Sequence, residues 1–128
     1  MSNHLRIRIR NFLFEHFHKY KLKRICQAIG IKPYPWQSSF ALGRTNKLDG
    51  DLGRATGKTM AVMLRVLMMH HTDPVFPWMF YLDPDWKPYD SHRKMWYYRE
   101  YIRLSQKCKH AGIPVPEMYV DVGWTIHI

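Results

Sequence analysis

Acidic residues are scarce in this chain: its 128 residues carry ten Asp and Glu against twenty Lys and Arg, a formal net charge of +10. A balance this basic implies an anionic partner, nucleic acid or nucleotide, without which the self-repulsion is only destabilising. Cysteine is almost missing. Cys26 and Cys108 lie far apart in sequence, which excludes a disulfide framework and any metal-ligand spacing and leaves a reducing cytoplasm as the default compartment. No apolar run reaches the length of a membrane span, and the N-terminus lacks the continuous apolar block of a signal peptide. Hydrophobic and aromatic side chains, by contrast, are plentiful at 46% and 15%, enough to bury one core in one compact unit.

The most informative stretch is Gly53-Arg54-Ala55-Thr56-Gly57-Lys58-Thr59, which runs straight into the apolar segment 60–69. A glycine-flanked loop opening a helix, with Gly-Lys-Thr at the junction, is the sequence form of a phosphate-binding loop (Walker A): backbone N–H groups wrap the phosphates and the helix N-terminus faces the anion. Gly57 lets the backbone turn with no Cβ beside an oxyanion, Lys58 can reach the outer phosphates as a point charge, and Thr59 can offer its hydroxyl to Mg²⁺. Gly53 serves the turn where the loop begins. The spacing is unusual, since three residues rather than four separate the two glycines and Leu52 stands where the first glycine would be. Upstream, residues 44–52 read as loop, not as the buried strand that normally precedes the motif. A plain helix start, with Thr56 or Thr59 near the cap and a solvated lysine, fits the same residues.

Elsewhere the chain reads as alternating helix and strand. Residues 4–29 suggest a helix broken near residues 20–22 and closed by Gly30, with Arg6, Arg8, Arg10, Lys19, Lys21, Lys23 and Arg24 interleaved among apolar and aromatic side chains. Such a basic face can lie on DNA, on a membrane surface or in water. His16 and His18, two apart, fall on different faces of a helix and make a poor metal site, while His70 and His71 suit a helix C-terminus. Pro35 is placed for the first turn of a short helix. The aromatic run from Pro77 to Leu82 reads as a buried strand, Ser91 as the cap of a helix from His92 to His110, and Met118 to Val122 as a second strand. Loop, helix and strand in this order suit a parallel α/β unit.

Pro35-Trp36-Gln37, some twenty residues ahead of Arg54-x-x-Gly57-Lys58-Thr59, resembles the start of the ATPase domain of phage terminase large subunits, the DNA-packaging motors, and more loosely that of superfamily 2 helicases. The resemblance spans roughly residues 33–83 and implies a fold, a ligand and a site. The implied fold is a partial P-loop NTPase-like α/β domain over residues 33–128, a parallel sheet with flanking helices, preceded by a basic helical arm over residues 1–32. The implied ligand is ATP with Mg²⁺. Gln37 becomes an adenine contact, and Gly53, Arg54, Ala55, Thr56, Gly57, Lys58 and Thr59 become the phosphate loop. DNA is the implied partner, in the cytoplasm of a host cell if the chain is phage-encoded.

A complete motor of this kind also needs an apolar strand ending in an acidic pair. Asp121 follows a strand candidate but precedes Val122, and Asp83 precedes Pro84, so each lacks its glutamate. Asp121 joins Thr59 as the metal candidate, Asp83 is the second, and both also fit ordinary strand-end turns. The expectation is therefore an ATP-binding, DNA-associated domain whose enzyme status is open: an ATPase with weak or no hydrolysis alone. Self-association or a partner chain would cover the open sheet edge. The rival expectation is a small basic module that binds nucleic acid or protein without nucleotide chemistry.

Overall fold

The computed structural model describes residues 3–45, 48, 57–83, 86 and 90–118. Helix α1 (Asn3–Ile29) buries Leu22, Ile25, Cys26 and Ile29, a stripe at three- and four-residue spacing along its last two turns. It runs unbroken through residues 20–22, where the sequence suggests an interruption; no Gly or Pro lies between positions 3 and 29 to cause one. It stops where the N–H groups of Gly30 and Ile31 both reach the carbonyl of Cys26, at 2.9 and 3.0 Å. Helix α2 (Pro35–Ala41) opens on Pro35 as expected and buries Gln37, Phe40 and Ala41.

Helix α3 (Lys58–Leu67) is apolar almost all the way round, burying Ala61, Val62, Met63, Leu64, Val66 and Leu67. A helix of that kind can only be central. α2, α1 and the segment Pro77–Leu82 all pack on it, and helix α4 (Ser91–His110) closes against α1 and Pro77–Leu82. α4 presents Tyr97, Tyr98, Tyr101, Leu104 and Cys108 inward. It is capped one residue earlier than the sequence suggests: Asp90 Oδ1 accepts the Arg93 N–H at 3.1 Å. The last turns of α1 thus share one core with α3 and α4.

The parallel sheet expected of an α/β phosphate-loop domain is not found among the described residues. Among the described residues there is no strand, and the β-type contact is an isolated parallel bridge between Val75 and Met118. The run Pro77–Leu82 is a 3₁₀ helix. A short apolar run can be strand or buried helical turn, and periodicity alone does not separate them. Here Pro77 supplies a helix-compatible φ at the start, and the backbone closes on itself through Met79 N–H to Phe76 O and Asp83 N–H to Phe80 O, both 3.0 Å. Of the second expected strand only Met118 lies within the described residues. Without a sheet among the described residues, a partner chain completing its edge has no footing there. No described helix is long and apolar enough to cross a membrane.

Candidate functional site

Gly57 is the N-cap of α3, with a φ of 89°, a left-handed conformation that a side chain would resist. Gln37 holds it there. The Gln37 Nε2 donates to the Gly57 carbonyl at 3.0 Å, while its Oε1 accepts the Tyr34 N–H at 2.9 Å. One partner needs a donor and the other an acceptor, which fixes the amide's orientation. The glutamine singled out twenty residues upstream therefore does meet the loop. It is buried, with both polar atoms engaged by backbone, and so ties the start of α2 to the start of α3.

Among the described residues no side chain caps α3, and no acid occupies its first turn. Lys58 stands there instead, half-buried. A cation at the positive end of a helix is electrostatically unfavourable, by about 0.3–1 kcal/mol at an exposed site, unless an anion lies between them. α4 shows the opposite arrangement, with Asp90 at its N-terminus and Lys107, Lys109 and His110 in its last turn.

Thr59 points its hydroxyl at a buried acid: Oγ1 donates to Asp83 Oδ2 at 2.6 Å. Asp83, 1% exposed at the end of the 3₁₀ helix, also accepts from the Tyr97 hydroxyl of α4 at 2.5 Å. Tyr97 is seated by rings on two sides, Phe80 at 5.4 Å and Trp86 at 5.2 Å. Asp83, the second acidic candidate, therefore meets Thr59. A hydroxyl and a carboxyl group at one point suit a hard cation that also takes phosphate oxygens. No group of three or more His, Cys, Asp or Glu gathers as a metal site among the described residues. Gly53, Arg54, Ala55, Thr56 and Asp121 lie outside the described residues. Tyr97 carried no signal in the sequence, because a tyrosine on the apolar stripe of a helix looks like any core aromatic.

The basic residues of α1 divide into two groups. Lys21 Nζ donates to the Met69 carbonyl just past the end of α3, and Arg24 donates to the Ala111 carbonyl at the C-cap of α4, each at 3.2 Å. Both serve helix C-termini, where a cation is favourable. Burial lowers the Lys21 ammonium below its ordinary pKa, an effect partly offset by the Cys108 thiol nearby. Arg6, Lys19 and Lys23 are exposed, as are Phe17 at 65% and Tyr20 at 57%. The side chains of Arg8 and Arg10 lie outside the described residues.

The fold and site together define a small helical protein with a glycine-turned, lysine-bearing helix start beside a buried carboxyl group. No family model, no curated protein and no solved structure matches this chain.

Proposed function

We propose that the start of α3 binds the phosphate tail of a nucleotide, ATP with Mg²⁺. Lys58 would neutralise the outer phosphates, and Thr59 with Asp83 would hold the metal. The observation that carries this reading is the pairing of Thr59 with buried Asp83 beside a glycine-turned helix start that bears Lys58. The resemblance of residues 33–83 to the opening of terminase ATPase domains supports it at the level of residues, on a helical scaffold in place of a sheet. Bound Mg²⁺ would screen the phosphate charges. Hydrolysis by the chain alone is weak or absent, because Pro84 follows Asp83 where a water-orienting glutamate would stand.

A thermal melt tests this. ATP with Mg²⁺ at a hundredfold over Kd stabilises a protein by about 2.7 kcal/mol. Lys58→Ala removes that shift while leaving the ligand-free Tm within a degree or two. A nucleotide-dependent shift that survives in Lys58→Ala, or its absence from the wild type, refutes the reading.

A second reading is favoured by α1, whose exposed side chains include the cations Arg6, Lys19 and Lys23 and the rings of Phe17 and Tyr20. Cations interleaved with exposed rings suit the backbone and bases of a DNA strand. It predicts DNA binding that weakens steeply with salt. Sensitivity of that binding to ATP separates a nucleotide-coupled protein from a plain basic module.

A further inference from the structure

A cleft of about 480 Å³ opens between α1 and the segment leading through α2, away from the start of α3. Its floor is apolar, built from Leu22, Ile31, Pro33 and Leu42. Its rim is cationic on both walls: Lys19 and Lys23 stand one turn apart on α1, and Lys32 and Arg44 face them from the chain on either side of α2. All four are exposed, and no acidic residue among the described ones lines the cleft.

This pattern is not what a solvated surface requires. Lys19 and Lys23 are like charges at i and i+4, a spacing that opposes the helix carrying them. Leu42 and Ile31 are only half-buried at the cleft, so the free protein leaves apolar surface wet between two rows of cations. The arrangement is complementary to a ligand with an apolar ridge and acids along both sides.

We propose that this cleft docks a short amphipathic segment of an acidic partner protein, with apolar side chains at i, i+3 and i+4 seated on the floor and flanking Asp or Glu paired with the two cationic walls. Nucleic acid fits the floor less well. Among the described residues no aromatic ring lines the cleft to give a base a stacking platform, whereas a Leu or Phe side chain gains from aliphatic walls. A volume of about 480 Å³ holds a few side chains, enough for the anchors of one helical turn or two.

The test uses the full chain and a fluorescein-labelled sixteen-residue peptide in which a leucine stripe at helical spacing is flanked by glutamates. Its controls are a peptide of the same composition with the stripe scrambled, and a labelled oligothymidylate of equal length. Fluorescence anisotropy should give affinity for the striped peptide at least tenfold above the scrambled one. Reversing one charge on each wall, Lys23→Glu with Arg44→Glu, should weaken the striped peptide at least tenfold while the Tm changes little. Leu42→Ser, which makes the floor polar without touching the walls, should reduce the preference for striped over scrambled peptide. Equal binding of the two peptides would overturn the proposal and leave a charged surface only. Tighter binding of the oligothymidylate, lost in the same charge reversal, would overturn it in favour of nucleic acid.

Discussion

A methyl group at position 57 would meet the end of the Gln37 side chain. An ideal Cβ there would stand 2.3 Å from the Gln37 Nε2, and the backbone sits at a φ of 89°. Gly57→Ala therefore meets two costs: a left-handed conformation, about 1–2 kcal/mol for a residue with a Cβ, and displacement of the Gln37 amide from the Gly57 carbonyl, about 1 kcal/mol. Gly43→Ala is the natural control, because its φ of 76° carries the first cost while nothing lies within 4 Å of its Cβ. Urea unfolding should place Gly57→Ala about 1 kcal/mol below Gly43→Ala. In a Gln37→Ala background that gap should close, since the amide is no longer there to displace. A gap that persists would mean that Gln37 does not hold the turn. The residues of this site are unequally legible in the sequence. Gly57, Lys58 and Thr59 carry their chemistry in consecutive positions. The pairing of Thr59 with Asp83 was visible only as a candidate acid twenty-four positions on, and the Tyr97 contact not at all, because it depends on how α4 lies against the 3₁₀ segment.

Charge at the scale of elements is used to join helices. Lys21 and Arg24 reach the ends of α3 and α4 from a single turn of α1, so one helix serves the exposed carbonyls of two others. Lys21 is half-buried and its bond is charge-assisted, so Lys21→Ala should cost about 1–2 kcal/mol. Arg24→Ala, at a contact in the solvent, should cost about half of that at most. Lys19→Ala and Lys23→Ala, exposed and on the other flank, should stay within about 0.5 kcal/mol of wild type. Chemical denaturation of the four variants checks the order, and equal effects would show that the helix ends are satisfied without these side chains. The helices themselves were readable because their apolar spacing repeats over several turns, as in Leu22, Ile25, Cys26 and Ile29. Which lysines on such a helix meet a neighbour's carbonyls was not, since that follows from packing. The 3₁₀ segment looks like a strand in sequence for a related reason: six residues are too few to show a period, and its aromatic content mimics a strand.

At the scale of the whole molecule, several buried titratable groups gather where α1 meets α4. Cys26 and Cys108 are both free and buried there, and Tyr98 and Tyr101 lie on the same face of α4. Burial raises the Cys26 thiol from 9.0 to about 11, helped by Cys108. Burial also raises Cys108, against the pull of Lys21, and raises both tyrosines above their ordinary range. A group held neutral in the fold but free to ionise in the unfolded chain contributes stability that is complete below its unfolded pKa. That stability is lost as pH rises through the folded value. For Cys26 the window is pH 9.0 to about 11. Lys21 acts in the opposite sense, because its lowered pKa makes the unfolded chain the stronger proton binder below 10.5, so raising the pH through its window favours the fold. Two thiols and two tyrosines oppose one lysine, and stability should fall above pH 9 even though the chain's net charge of +10 is being reduced. A one-proton difference between the states is worth about 1.4 kcal/mol per pH unit at most. Urea titrations at pH 7, 9, 10 and 11 should show the wild type losing stability through this range. Cys26→Ala should start lower at pH 7, from the space it leaves, and then fall less steeply between pH 9 and 10. Parallel curves for the two proteins would mean that the Cys26 thiol ionises as readily in the fold as out of it, and that the α1–α4 contact is not the dry interface its burial describes.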